Sequence, residues 1–296
     1  MTPLRVCVIG VGLIGGSFAR ALRLSVPDLE IIGCGRSEDN LQRALDLGVI
    51  DRYHTDVGKA VSAVDVILVA VPLGAMKTVF LDIAQYASEQ VVITDVGSSK
   101  QSVLADAVTA LGALTCRFVA GHPIAGTEHS GVDASFPELF RDRQVVLTPL
   151  PDTDKDAVNI VRELWQKTGA EVNIMDAEHH DTILAATSHM PHILAFNLVN
   201  TLSDIDTSGE VFRYAAGGFQ DFSRIASSDP VVWRDICLSN GAAMLDVLNH
   251  FSQDLEQLQG HIANADGDAL LALFTRAKQT RDDYLKKQKQ NKRGVD

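Results

Sequence analysis

Three stretches of the chain carry polar side chains that folding alone does not require. Gly121-His122-Pro123-Ile124-Ala125-Gly126-Thr127-Glu128 sets an imidazole directly after the strand-like run Arg117 to Ala120. An imidazole titrates at about pH 6.5, so His122 can take a proton from an alcohol at neutral pH while hydride leaves the same carbon. A satisfied structural histidine is the alternative. Asp95-Val96-Gly97-Ser98-Ser99-Lys100 follows another such run, Val91 to Asp95, and offers Ser98 to the same place. Ser98 can also cap the next helix, and both roles can hold at once. Ser188-His189-Met190-Pro191-His192 sets two histidines three residues apart around a proline. His179, His180 and Asp181 lie nearby, but the motif itself holds no acidic ligand, so a metal is not expected. A proline-broken helix with His189 and His192 facing a cleft is the better reading, with a purely structural role open for one of them.

A fourth stretch predicts what would accept the hydride. Gly10-Val11-Gly12-Leu13-Ile14-Gly15 matches GxGxxG. The pattern is weak alone, but here it follows a strand-like run and opens a helical one. Gly10 permits the turn, Gly12 lets backbone approach a pyrophosphate, and Gly15 lets helix and strand pack closely. Leu13 and Ile14 open the helix whose N–H groups face the phosphates. Val71 and Pro72, ending the run from Asp65, are expected beside the same dinucleotide. NAD sites usually place an acid about 20 residues further on. Here Gly35 stands in that place, followed by Arg36 and Ser37, which suit a 2′-phosphate. A charge-assisted hydrogen bond there contributes about 1.5–3 kcal/mol, so NADP is the expected cofactor. Glu38 and Asp39 follow, and NAD use stays open; Arg36 stacking on adenine is the other reading.

Positioning these groups requires strands alternating with helices. Strands are predicted over Arg5–Ile9, Glu30–Cys34, Asp65–Val71, Val91–Asp95, Arg117–Ala120, Val145–Thr148 and Glu171–Met175. Helices are predicted over Ile14–Leu24, Asn40–Leu47, Met76–Tyr86, Gln101–Leu111 and Lys155–Thr168. This alternation means α/β, a Rossmann-like doubly wound sheet. After Asp176 only helical periodicity remains: Ala177–Leu202 interrupted by Pro191, Val231–Leu258 and Asp268–Gln288. The expected domains are therefore residues 1–175, binding dinucleotide, and an all-helical 176–296. Apolar helices with no sheet to cover them suggest a homodimer through that second domain.

Composition narrows the class. The chain has 296 residues, 46% hydrophobic and 22% charged, with a net charge of −12. The acidic balance argues against a nucleic-acid binder. The basic run Lys286 to Arg293 reads as a solvated tail. No apolar run approaches the roughly 20 residues needed to cross a bilayer, and no signal peptide is evident. Cys7, Cys34, Cys116 and Cys237 lack paired spacing and read as reduced, mostly buried thiols, which with the missing leader predicts a cytoplasmic protein.

In order along the chain, GVGLIGG, TDVGSSK, GHPIAGTE, SHMPH and GGFQDFSRIASSDPVVWRDI closely resemble the motifs of the prephenate/arogenate dehydrogenase family. The resemblance covers nearly the whole chain and implies a Rossmann-like domain followed by a helical dimerisation domain. It also implies oxidative decarboxylation of a cyclohexadienol carboxylate in tyrosine biosynthesis. By resemblance His122 is the base, Ser98 orients it and the hydroxyl, and Arg224 binds a substrate carboxylate. His189, His192 and Glu128 line the pocket by the same resemblance, with Asp221 and Trp233 at its edge. Trp233 reads equally well as core packing, and Arg224 as a surface ion-pair former. Gln220 stands where some prephenate-using relatives carry lysine. Losing that cation removes repulsion toward the ammonium of arogenate, so arogenate is expected to be favoured, or both substrates used. With the chain ending at Asp296, tyrosine feedback would have to be competition at the active site.

Two rivals remain from the sequence. A β-hydroxyacid dehydrogenase or imine reductase of the same architecture usually relies on a lysine in the helical domain, and GHPIAGTE would go unexplained. A dinucleotide-sensing module with no catalysis would leave His122 without a purpose.

Overall fold

The computed structural model describes residues 3–206 and 209–293. The amino-terminal part alternates strands and helices: β1 (Leu4–Ile9), α1 (Leu13–Ser25), β2 (Leu29–Cys34), α2 (Glu38–Asp46), β3 (Arg52–His54), α3 (Val57–Val61), β4 (Val66–Val69), α4 (Leu73–Tyr86), β5 (Val92–Asp95), α5 (Gln101–Ala110) and β6 (Phe118–Val119), of which the short β3 and α3 lie outside the predicted elements. These strands form one parallel sheet in the order β3-β2-β1-β4-β5-β6. The order reverses between β1 and β4, and ligands of such sheets sit at the carboxyl ends of the strands there.

Alternation along β1 fills both faces. Val6 and Val8 join Phe18, Leu22, Phe140 and Trp165 in one buried layer. Cys7 and Ile9 join Phe80, Ile83 and Phe118 in the other. The aromatic rings meet edge to face, Phe18 on Trp165 at 4.8 Å and Phe80 on Phe118 at 5.2 Å between centroids. Such geometry favours aromatic pairs beyond the area they bury.

The later strands do not extend this sheet. β7 (Gly121–Pro123) pairs antiparallel with β8 (Gln144–Leu147), which pairs parallel with β9 (Glu171–Ile174) after α6 (Lys155–Lys167). His122 thus lies on a strand of a small second sheet. Periodicity shows which segments are strands; pairing depends on tertiary contacts that a single sequence does not display.

Helices follow β9: α7 (Ala177–Leu184), a π segment (Ala185–His189), α8 (Met190–Ile205), α9 (Glu210–Arg213), α10 (Gly217–Ser223), α11 (Pro230–Ser239), α12 (Gly241–Ala263) and α13 (Gly267–Arg293). Pro191 cannot donate an N–H, and the turn before it widens. The expected helix from Val231 to Leu258 is broken at Asn240, ahead of Gly241. By contacts the chain divides into Met1–Met244 and Leu245–Asp296. The second unit exposes Leu245, Ile262, Leu271 and Phe274. Among the described residues no helix is long and apolar enough to cross a membrane. Two thiols depart from expectation: Cys7 and Cys34 are buried, but Cys116 is exposed and Cys237 half-buried. Of the basic run, Lys286 and Lys287 are exposed, and the remaining basic side chains lie outside the described residues.

Candidate active site

The glycine turn has the shape a pyrophosphate requires. Gly10 holds φ +97°, and a Cβ there would meet the Ala70 carbonyl oxygen at 2.3 Å. A Cβ on Gly15 would lie 2.8 Å from Val8. A Cβ on Gly12 would meet nothing within 4 Å, and no side-chain hydrogen bond caps α1. The residues present therefore fit a dinucleotide. Val71 is half-buried, and Pro72 caps α4 at the end of the neighbouring strand. Arg36 and Ser37 are exposed just past β2. Ser37 accepts the Asn40 N–H at 3.2 Å as the cap of α2, while its own hydroxyl proton stays available.

His122 is held by a clamp at the carboxyl end of β5. The fully buried Lys100 donates to Asp95 Oδ2 at 2.6 Å and to the Gly121 carbonyl at 2.7 Å. Asp95 in turn accepts the N–H groups of Gly121 at 3.0 Å and Gly97 at 2.7 Å. The first residue of β7 is thereby tied to β5, and His122 follows it. Burial pulls the Lys100 ammonium below its ordinary range, against the attraction of Asp95. Ser98 does not cap α5; the Asp181 carboxylate does, accepting the N–H groups of Lys100 at 2.7 Å and Gln101 at 2.9 Å. Ser98 is half-buried and lines the cleft.

His122 is 8% exposed. Its Nδ1 lies 2.9 Å from His180 Nε2, and Nε2 has no partner among the described residues. Burial, reinforced by His180, Lys100 and His189, pushes its pKa well below the usual 6.5. His180 Nδ1 lies 2.8 Å from Asp181 Oδ1. Burial works against the Asp181 carboxylate, but hydrogen bonds from His180, Lys100 and Gln101 outweigh it and keep the group acidic.

The helical wall supplies the rest. Asn240 Nδ2 donates to the Asp181 carbonyl at 2.8 Å and reaches His189 Nδ1 at 3.2 Å. An amide nitrogen only donates, so His189 Nδ1 accepts and Nε2 carries the proton. That Nε2–H is buried without a partner. Burial lowers the His189 pKa to about 4, with Asp181 opposing and His180 and His192 assisting. His192 donates from Nδ1 to the Ser188 carbonyl at 2.9 Å and stacks on Trp233 at 3.8 Å. Trp233 is a wall of the cleft rather than core packing. Arg224 meets Glu128 at 3.4 Å across the opening, with 62% of the Arg224 side chain exposed.

These groups line one cleft of about 720 Å³, bounded by Leu13, Ile14, Ser98, His122, Glu128, His189, His192, Arg224 and Trp233. Gln220 and Asp221 are not on its wall. They sit exposed on α10, about one turn before Arg224, because that short helix turns them to solvent. Sequence reasoning missed Asp95, Lys100, His180, Asp181 and Asn240 as site-forming residues. Asp95 and Lys100 lay inside a quoted motif, and the Asn240-Gly241 pair is a turn signal.

A glycine turn at the switch point of a parallel sheet, facing a buried imidazole across a cleft, defines a nicotinamide-dependent dehydrogenase. Comparison with known proteins agrees. Residues 18–174 match the nucleotide-binding domain of prephenate dehydrogenase, and residues 176–276 match its dimerization domain. A cyclohexadienyl dehydrogenase from Zymomonas mobilis is 40% identical over 93% of this chain and 94% of its own. The prephenate dehydrogenase of Bacillus subtilis is 37% identical over 96% of this chain and 77% of its own. A crystal structure of prephenate dehydrogenase from Aquifex aeolicus, in complex with hydroxyphenyl propionate and NAD+, superposes with a TM-score of 0.89 at 35% identity, covering 95% of this chain and 98% of that one. The chain belongs to the prephenate dehydrogenase family.

Proposed function

We propose that the protein oxidatively decarboxylates arogenate and prephenate, favouring arogenate, with NADP preferred and NAD accepted. The observation that carries this reading is the His122 imidazole, bonded through Nδ1 and free at Nε2 in the cleft. A bound nicotinamide supplies the hydride acceptor. His122 Nε2 takes the hydroxyl proton at the ring carbon that loses hydride. Once the carbon–carboxylate bond has broken and its electron pair has closed the aromatic ring, the same nitrogen returns the proton to the phenol oxygen. Ser98 orients the hydroxyl. The His189 Nε2–H donates to a substrate oxygen, and Arg224 grips a carboxylate with its planar fork. Glu128, His192 and Trp233 shape the pocket, while Gln220 and Asp221 act at its entrance. The cofactor contacts are Gly10, Gly12, Leu13, Ile14, Gly15, Arg36, Ser37, Val71 and Pro72.

The same reading sets a boundary near residue 175 and makes the enzyme a cytoplasmic homodimer. The apolar side chains exposed on α12 and α13 support the dimer. Relatives support both substrates, one being named a cyclohexadienyl dehydrogenase and others prephenate dehydrogenases. The test is a kinetic grid of arogenate, prephenate and a 3-hydroxy acid, each with NADP and NAD. The expected result is turnover of the cyclohexadienols, with the highest kcat/KM for arogenate and NADP. Turnover of the 3-hydroxy acid alone would overturn the reading.

A further inference from the structure

His180 and Asp181 line neither the glycine turn nor the cleft, yet both are buried, with 0% and 1% exposure. Ionisable side chains are not buried so completely unless they are paired. Their partners run in one line: Asp181 Oδ1 to His180 Nδ1 at 2.8 Å, then His180 Nε2 to His122 Nδ1 at 2.9 Å. Each contact in this line constrains the next. An ionised carboxylate only accepts, so His180 Nδ1 carries a proton. Donation by His180 would need a second proton on that ring; without it, Nε2 holds a lone pair and accepts from His122. His122 then carries its proton on Nδ1 and presents a bare Nε2.

We propose that Asp181 and His180 are positioning residues that set the tautomer of His122, presenting its Nε2 lone pair to the substrate hydroxyl. The inference rests on the proposed role of His122 as base. Asp181 itself is fixed by the N–H groups of Lys100 and Gln101 at the start of α5. The N-terminus of α5, three residues after Ser98, therefore anchors the far end of the line. An imidazole with its proton on the wrong nitrogen is a poor base even when it sits in the right place; in a Ser-His-Asp triad the comparable fault costs about 10⁴-fold in kcat.

His180 Nε2 and Nδ1 are both engaged, and both Asp181 oxygens accept backbone N–H groups.

The experiment reads the tautomer directly. Protein labelled with ¹⁵N-histidine, saturated with NADP, is examined by long-range ¹H–¹⁵N correlation, with His122→Asn used for assignment only. The expected result is a protonated Nδ1 and an unprotonated Nε2 on His122. His180→Leu removes the acceptor and should lower kcat roughly 10²-fold or more while KM changes less than about threefold, with the His122 proton leaving Nδ1. His180→Gln places an amide oxygen near the lost nitrogen and should hold the tautomer and restore kcat to within about tenfold of wild type. A proton on Nε2 in the wild type, or wild-type kcat in His180→Leu, would overturn the proposal. If His180→Leu does not fold, the wild-type spectrum and His180→Gln still decide. If wild-type protein turned over no cyclohexadienol, the proposed reaction would fail, but the tautomer would still be read.

Discussion

Asn240 Nδ2 stands 3.2 Å from His189 Nδ1, at the break between α11 and α12. The contact fixes His189 as a donor toward the cleft, and a second proton on the same nitrogen satisfies the Asp181 carbonyl. Asn240→Asp replaces the donor with an acceptor and drives the His189 proton to Nδ1. Substrate KM should then rise about tenfold, the worth of one lost hydrogen bond, with a smaller change in kcat. Steady-state kinetics at saturating cofactor checks the split.

Lys100 and Asp95 form a buried pair, and neither side chain is accessible to solvent. Removing one partner of such a pair leaves an uncompensated buried charge. Lys100→Met should therefore destabilise the fold by about 3–5 kcal/mol in urea unfolding. The double variant Lys100→Met, Asp95→Asn should recover part of that loss, since no lone charge remains. His122 placement should suffer in both, because Lys100 also holds the Gly121 carbonyl.

Burial keeps His122 and His189 neutral in the fold, His189 down to about 4 from its usual 6.5. The unfolded chain binds protons there that the folded chain does not. Unfolding free energy should thus rise with pH between 4 and 6.5 and fall on acidification through that window. The slope approaches about 1.4 kcal/mol per pH unit for each histidine. Urea midpoints measured across the window check the sign. In the same way, the acid limb of kcat/KM should lie well below 6.5.

Arg36 is exposed past β2, and no hydrogen bond occupies it among the described residues. Arg36→Asp should move preference from NADP toward NAD by about ten- to a hundredfold in the kcat/KM ratio, the range that one charge-assisted bond supplies. An unchanged ratio would show that Arg36 does not select the 2′-phosphate.

Much of this arrangement is legible in the sequence because local rules dominate it. Gly10, Gly12 and Gly15 sit where a strand meets a helix, and valine-rich runs mark the buried strands. His189 and His192 share a face because they stand three residues apart on a helix that continues through Pro191. Long-range pairing is not legible in the same way. Nothing in the periodicity separates the strand of His122 from the main sheet, since that depends on Asp95 and Lys100 reaching Gly121. In the sequence His180 and Asp181 stand near the histidine motif with no role assigned, and only their contacts with His122 and α5 reveal what they hold. Gln220 and Asp221 are exposed on the short α10, and their placement at the mouth and edge of the site rests on resemblance.

The most direct test of the whole account is kcat/KM of His122→Asn with arogenate and with prephenate, alongside a thermal melt to confirm folding. A folded variant should lose about 10²–10⁴-fold, the usual contribution of a general base. Near-wild-type turnover by that variant would contradict the central claim that the imidazole of His122 takes the proton.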